Sequence, residues 1–267
     1  MTLEKFLVVV DSVQLEHVAL NRLVNFAGSQ RHSDMCVHVF VGFNGEDLSE
    51  TDQPMDVIQG RNWLDELLLP VENTGIKCTA ELFWTRDWEK SIIDAARRTQ
   101  ADMIVISKAS ATNKTGLKDS MWSLLRSSEI PVLTIELGAP AKRENILVAV
   151  NMQTTDDEHN TLNRKVLLQG QTSAEFYDAK LHVVNAYYDS EDYPGYDKVK
   201  RIIEIDRQDI HVDMGKPEEI IAKLTNQVQA DLVIMGTMSR RGLRATLRKN
   251  TSEKVINKLT VDVLTLN

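Results

Sequence analysis

Four short segments occur twice along this chain, in the same order both times. They read ADMIVI (101–106) and ADLVIM (230–235), LVVVD (7–11) and LVAVN (147–151), VHVFV (37–41) and LHVVN (181–185), and PVLTIE (131–136) and DVLTLN (262–267). The offsets between the copies drift only as loop insertions would make them drift. A repeat of this kind predicts two tandem copies of one folding unit rather than one large domain.

The stretch between the copies, residues 137–144 (LGAPAKRE), contains Gly138 and Pro140 and is typical of a linker. We therefore predict a first domain over residues 1–138 and a second over residues 143–267. Each is close to the usual size of a domain and long enough to bury its own core.

Within each copy the apolar runs are short, rich in β-branched residues and continuous, as in FLVVV, MIVIS and LVIMG. Such runs are typical of parallel strands buried on both faces. Between them lie segments with helical periodicity, for example 218–228, where Ile221, Leu224 and Val228 share one stripe. The pattern predicts an α/β fold of two tandem doubly wound parallel-sheet, Rossmann-like domains. Ligands of such sheets bind beyond the carboxyl ends of the strands, where the strand order reverses.

Composition narrows the class of protein. The 267 residues carry a net charge of −8, which argues against a general nucleic-acid binder. The opening MTLEKFLVVVDS is a short apolar run that ends in an acid, so it predicts a first strand and not a signal peptide. No apolar stretch approaches the roughly 20 residues of a membrane helix. Cys36 and Cys78 stand apart, without zinc-ligand spacing. We expect a soluble cytoplasmic protein with no membrane or nucleic-acid partner and no metal.

The run 230–266, ADLVIMGTMSRRGLRATLRKNTSEKVINKLTVDVLTL, is similar to the closing segment of the universal stress protein family. The resemblance to tandem members of that family covers essentially the whole chain. Nucleotide-binding members carry a loop of the form Gly, two residues, Gly, nine residues, Gly, then Ser or Thr. The glycines let backbone N–H groups approach the phosphates, and the start of the next helix adds its positive end.

The second copy keeps only part of that loop. Gly236 holds the place of the first glycine, and we expect it to end the strand and let the chain turn. The resemblance implies a degenerate nucleotide loop, with the family's nucleoside-facing acid replaced by an asparagine and with a cap at the start of the last helix. Its candidate ligand-binding residues are Asn151, Gly236, Ser239, Gly242, Lys249, Asn250 and Thr251.

The first copy has the opposite pattern. Asp11 and Ser12 follow its first strand as in the family, but residues 106–133 contain a single glycine, Gly116. The resemblance therefore implies that the first copy has no phosphate loop, binds no nucleotide and serves as scaffold or partner surface.

Other features leave alternatives open. The basic residues 240–254 either replace lost backbone contacts to an anionic ligand or form a solvated helix face. Trp84 and Trp88 either belong to the core or plug the first copy's nucleotide cleft. The tyrosines of an insertion after the second strand of the second copy form a lid or decorate the surface. These are Tyr187, Tyr188, Tyr193 and Tyr196.

The histidines lie in patterns that favour structural roles over chemistry. His38 and His182 occupy equivalent places in buried strands, which favours a packing role. His159, with the acids at 156–158, is either a solvated loop or a set of metal ligands without defined spacing.

No nucleophile–base pair, metal triad or paired carboxylates can be seen in the sequence. We therefore predict a stress-response protein that binds a ligand or partner and is not an enzyme. The alternatives are an ATP-binding protein with slow ATPase activity in the second domain, and a carrier of a non-nucleotide metabolite or lipid-like ligand. The ligand stays unknown; ATP or another phosphate-bearing molecule would bind weakly.

The apolar strands at 131–136 and 261–267 each need a covered edge. They predict that the two domains pair as an intramolecular pseudo-dimer, with protein partners or a higher oligomer beyond it.

Overall fold

The computed structural model describes residues 5–11, 16–29, 35–44, 57–85, 87–108, 119–238 and 251–267. These residues cluster into two compact units. Unit 1 takes the described residues up to 108 together with 119–124 and 130–137, and unit 2 takes 125–129 and the described residues from 138 onward.

Unit 1 is built on five parallel strands in the order β3-β2-β1-β4-β5. They are β1 (Lys5–Val10), β2 (Cys36–Asn44), β3 (Lys77–Thr85), β4 (Met103–Ser107) and β5 (Val132–Ile135). The helices between them are α1 (Val18–Ser29), α2 (Val57–Glu72), α3 (Trp88–Thr99) and α4 (Asp119–Ser127), the last of which has residues in both units.

Unit 2 has five parallel strands in the corresponding order β8-β7-β6-β9-β10. They are β6 (Asn145–Val150), β7 (Lys180–Tyr187), β8 (Ile210–Met214), β9 (Leu232–Gly236) and β10 (Asp262–Leu266). Its helices are α5 (Asp157–Tyr177), α6 (Asp197–Lys200), α7 (Pro217–Gln227) and α8 (Thr251–Lys258), with single 3₁₀ turns at Ser190–Asp192 and Arg207–Asp209.

The repeat predicted from the sequence is confirmed strand by strand. In unit 1 Leu7 of β1 lies opposite His38 of β2, and in unit 2 Leu147 of β6 lies opposite His182 of β7. The recurring segments therefore form equivalent strands in equivalent register. Both central strands are buried, with Leu7 and Leu147 fully inaccessible to solvent, as continuous apolar runs predict.

The aspartate of each recurring Ala-Asp pair ties the end of one helix to the start of the first strand. In unit 1 the Asp102 carboxylate accepts a hydrogen bond of 3.0 Å from Lys5 N. In unit 2 Asp231 accepts from the backbone N–H groups of Glu144 and Asn145, at 2.7 and 3.0 Å. The repeated aspartate is thus a structural residue, which explains why both copies carry it.

The predicted linker contains a buried ion pair. Arg143 is 6% exposed and its guanidinium binds the carboxylate of Asp262, which is fully buried at the start of β10. The same guanidinium donates to the carbonyl oxygens of Pro140 and Asp231, at 3.0 and 2.7 Å. Because the guanidinium has these three partners, the contact holds the segment before β6 on unit 2.

The sequence suggested that the tyrosine-rich segment is an insertion, but the structure shows that it is not. It is the crossover between the parallel strands β7 and β8, a connection that every such pair requires. The corresponding crossover of unit 1 carries the long helix α2, whereas this one carries the single α-helical turn α6 between the two 3₁₀ turns. Among the described helices, none is both long and apolar enough to cross a membrane.

A candidate ligand site in unit 2

The strand order of unit 2 reverses between β6 and β9. The chain leads from β6 outward to β7 and β8, then returns to β9 on the other side of β6. Asn151 follows β6 directly and is exposed, and Gly236 is the last residue of β9. Both therefore flank the point at which doubly wound sheets bind their ligands.

Three of the seven residues predicted to bind a ligand belong to the described part of the chain: Asn151, Gly236 and Thr251. Thr251 is the exposed first residue of α8. The other four, Ser239, Gly242, Lys249 and Asn250, lie outside the described residues, as do most of the basic residues of that segment. Lys254, which is described, lies 3.8 Å from the buried carboxylate of Glu218 at the start of α7.

Gly236 is required by packing and not by a turn. The described glycines with a positive φ are Gly75, Gly138, Gly195 and Gly215, and Gly236 is a strand residue outside that set. A Cβ at Gly236 would lie 2.6 Å from the Cδ2 atom of Leu162 on α5. The expectation that Gly236 lets the chain turn is therefore wrong, because the close approach of a helix side chain dictates the glycine.

Unit 1 has a different residue at the end of the corresponding strand. Its β4 ends in Ser107, whose hydroxyl accepts a hydrogen bond of 3.1 Å from the backbone N–H of Ala19 in the first turn of α1. Unit 1 therefore joins strand and helix here by a hydrogen bond, whereas unit 2 does so by the close packing of Gly236 and Leu162.

A cluster of amide side chains closes the carboxyl ends of β6 and β7. Asn185 is 1% exposed, and its side-chain oxygen accepts a 2.6 Å hydrogen bond from Met152 N. Its amide nitrogen donates to Gln153 Oε1 at 2.9 Å, and Gln153 Nε2 donates to Ala186 O at 2.9 Å. This amide cluster (Met152, Gln153, Asn185, Ala186) was missed from the sequence. The available signal was an asparagine in LHVVN where the first copy has Val41 in a buried strand.

A second amide holds the backbone of the candidate residue Asn151. Asn163 on α5 is 7% exposed, and its oxygen accepts from Asn151 N at 3.1 Å while its nitrogen donates to Asn151 O at 2.7 Å. The backbone of Asn151 is therefore clamped, and its side chain is exposed and uncharged, with an amide that can donate and accept hydrogen bonds to a ligand.

The β7–β8 crossover brings a cation to this edge of the sheet. Lys198 Nζ donates a hydrogen bond of 2.7 Å to the carbonyl oxygen of Met152. The crossover is anchored by Val199 and Ile203, which are 1% and 3% exposed. Because its apolar residues are this deeply buried, the crossover forms a packed wall beside the site.

Aromatic rings contact one another along that wall. Tyr193 contacts Tyr187 and Tyr196 edge-on, with ring centroids 5.6 and 6.2 Å apart. The guanidinium of Arg207 lies 4.7 Å from the ring centroid of Tyr196, a cation–π distance. Hydrogen bonding with Tyr196 raises the pKa of the Tyr193 hydroxyl, so Tyr193 stays protonated near neutral pH.

The first of the acids at 156–158 caps the helix that follows it. Asp156 is the N-cap of α5 and accepts hydrogen bonds from His159 N at 3.0 Å and His159 Nδ1 at 2.5 Å. The hydrogen bonds from His159 lower the pKa of the Asp156 carboxyl. The sequence suggested either a solvated loop or a set of metal ligands, and neither alternative describes the cap. The cap satisfies an N–H group at the start of the helix. Within the described residues, no group of three potential ligand side chains could hold a metal ion.

The carboxyl edge of the unit 1 sheet carries charged and aromatic groups at several of its strand ends. Lys108, just after β4, pairs with Glu136 at 2.6 Å. Trp88 opens α3 and lies against Gly42 near the end of β2, where a Cβ would come within 3.2 Å of its ring. Trp84 is 51% exposed on β3, so it is not a core residue.

Comparisons with known proteins match this architecture. Residues 2–136 and 142–267 each match the model of the universal stress protein family. A curated relative, a universal stress protein E homolog from Haemophilus influenzae, is 26% identical, with 99% of this chain and 97% of the relative covered. Universal stress protein E of Escherichia coli K12 is 24% identical over 98% of this chain and 93% of its own length.

A solved structure shares the fold over both units. It is a protein of unknown function from Pseudomonas aeruginosa PAO1, with a TM-score of 0.79 and 23% identity, covering 99% of this chain and 92% of that one.

Proposed function

Since this chain belongs to the universal stress protein family, we propose that it acts in the stress response by binding a ligand in unit 2 and not by catalytic turnover. The observation that carries the proposal is the amide cluster at the carboxyl ends of β6 and β7. Side-chain amides neither titrate near neutral pH nor act as nucleophiles, but they donate and accept hydrogen bonds in fixed directions. The cluster amides are bonded within the cluster and hold the chain at Asn151, whose exposed side-chain amide is the group that would recognise a ligand without doing chemistry.

The proposed ligand carries a phosphate or another anionic group, and the affinity for ATP is weak. The positive charge of Lys198 beside Met152 supports an anion at this edge. Asn151 is neutral where the family resemblance implies an acid for the nucleoside. The amide cluster also fills space next to Asn151 with side chains that are already bonded to each other. A nucleoside would have to break these bonds, at a cost that weakens its binding.

In the same proposal, unit 1 binds no nucleotide and serves as scaffold. Trp88 against Gly42 supports this role, since a ring at the end of β2 occupies space that a ligand would need. We place the protein in the cytoplasm. We also propose that the two domains pair as an intramolecular pseudo-dimer, which the apolar strand that ends each copy supports. Independent tumbling of the two halves in NMR relaxation measurements would contradict that pairing.

Native mass spectrometry of the freshly purified full chain tests the binding proposal. We expect a non-covalent small molecule, or an added phosphate-bearing ligand, to shift the mass of the protein. The variant Lys198→Ala should weaken the binding of an anionic ligand. Lys142→Ala is the matched control, because that exposed lysine precedes β6 and pairs with Glu144 at the opposite end of the strand from Asn151. A bound mass equal to ATP, with release of inorganic phosphate on incubation, would establish the slow ATPase instead. A bound mass that corresponds to an uncharged or lipid-like molecule would establish the alternative of a metabolite or lipid carrier.

A further inference from the structure

Two histidine rings lie against each other on the outer strands of unit 2. His182 is on β7 and 6% exposed, and His211 is on β8, which lies at one end of the strand order. His182 Nδ1 and His211 Nε2 are 3.3 Å apart, and the ring centroids are 5.5 Å apart. A direct bond between two ring nitrogens needs one N–H and one lone pair. It is therefore lost when both of these nitrogens carry a proton.

The charged groups that act on the two rings offer little compensation for a second proton. Asp209, which precedes β8 and is 9% exposed, lies 3.5 Å from His182 Nδ1. Its carboxylate is already paired with Lys180 of β7, at 2.8 Å. Asp213, further along β8, acts on His211 alone and is exposed. Burial lowers the pKa of both histidines from the ordinary value of 6.5, and the neighbouring carboxylates oppose this only in part.

Unit 1 holds an internal comparison. His38 stands at the place of His182, as the strand registers show. The residue at the place of His211 is Glu81, by the registers of β3 on β2 and of β8 on β7. His38 Nε2 lies 3.3 Å from Glu81 Oε1, and Arg98 binds the same carboxylate at 2.5 Å. A proton on His38 therefore meets a carboxylate, whereas a second proton in unit 2 meets another imidazolium.

We propose that the His182–His211 pair is a proton-sensitive latch, which holds β8 on β7 at neutral pH and releases this edge strand at mildly acidic pH. The pair is neutral and hydrogen-bonded at high pH. As the pH falls below about 6.5, an unfolded or detached strand takes up protons more readily than the packed pair does. The stability that the latch confers is thus present above that pH and is lost as the pH falls. This device is independent of any ligand in unit 2.

Release of β8 would also affect the candidate ligand site. Tyr187 at the end of β7 lies opposite Met214 at the end of β8, and its carbonyl oxygen accepts a 2.8 Å hydrogen bond from Gly215 N. These contacts border the wall formed by the crossover. A looser β8 therefore changes the position of groups beside the site as well as the edge of the sheet.

Hydrogen exchange of the full chain at about pH 7.5 and about pH 5.5, corrected for the intrinsic pH dependence of exchange, tests the latch. We expect protection of peptides that cover β8 to fall by about tenfold or more at the lower pH. The reason is that pH 5.5 lies about one unit below the ordinary histidine pKa of 6.5, and each unit raises the preference of the released strand for a proton about tenfold. Peptides that cover β3 should keep their protection, because the His38–Glu81 pair gains attraction on protonation.

The variant His211→Glu gives unit 2 the pair that unit 1 has. In this variant β8 should no longer lose protection at acidic pH. If His211→Glu does not fold, His211→Gln should reduce the pH dependence, because a neutral amide can bond His182 without titrating and only one of the two rings then takes up a proton. Equal protection of β8 at both pH values in the parent would overturn the proposal. So would an unchanged acid-induced loss in the variants, or the same loss in β3.

Discussion

Asn185 and Met152 are joined by a 2.6 Å hydrogen bond, in which the side-chain oxygen of the asparagine accepts from the backbone N–H of the methionine. Both residues are buried, at 1% and 5% exposure. The bond fixes the chain that leaves β6 against the end of β7, and with it the position of the candidate residue Asn151. A buried polar group with a single partner of this kind is sensitive to the loss of that partner.

The substitution Asn185→Val, which introduces the residue of unit 1 at this place, should destabilise unit 2 by about 1–3 kcal/mol because Met152 N–H is left buried without an acceptor. Urea unfolding followed by the exchange of unit 2 amides measures this loss. Asn151→Ala is the matched control, because Asn151 is exposed and bonds Asn163 through its backbone. An unfolding curve of Asn185→Val that coincides with the parent's would contradict the role of the amide cluster.

Gly236→Ala should destabilise unit 2 by about 1–3 kcal/mol, because the added Cβ overlaps the side chain of Leu162. Leu162→Ala also costs stability on its own, through the cavity that it leaves. The double variant should recover part of the sum, since the two residues are in contact. Strict additivity in this double-mutant cycle would show that packing does not dictate the glycine.

Asp262→Ala should cost roughly 3–5 kcal/mol, because it leaves the buried guanidinium of Arg143 without its carboxylate. The neighbouring pair of Lys142 and Glu144 is an exposed control, with side chains 81% and 60% accessible. Glu144→Ala should leave thermal unfolding unchanged. Similar losses in both variants would mean that burial does not set the strength of the Arg143 pair.

Restoring the family residues should strengthen ATP binding. The triple variant Asn151→Asp, Ser239→Gly and Lys249→Gly is expected to gain about tenfold in affinity by titration calorimetry, equivalent to roughly 1.4 kcal/mol. Asp11→Asn in unit 1 is the control, and it should leave the heat of binding unchanged if only unit 2 takes a nucleotide. Tight binding by the parent, or a triple variant that binds no better, would overturn the assignment of a degenerate nucleotide loop.

The repeat and the fold could be predicted from the sequence. Continuous β-branched runs such as LVVVD and ADLVIM are local signals of buried parallel strands, and their recurrence shows that one topology occurs twice. The structure confirms this in the matching registers of His38 and His182. The sequence also marked Asn151 and Gly236 by position, because the ends of strands can be located from where an apolar run stops.

Only the tertiary structure decided what surrounds these positions. Gly236 is small because Leu162 approaches it from α5, and Asn185 is polar because Met152 N–H needs an acceptor from β7. His211 became a partner of His182 through the register of β8 on β7. Each of these contacts joins residues far apart in the chain. Apolar periodicity shows which face of an element is buried, but the volume and hydrogen-bonding partner at a given point depend on the element packed against it.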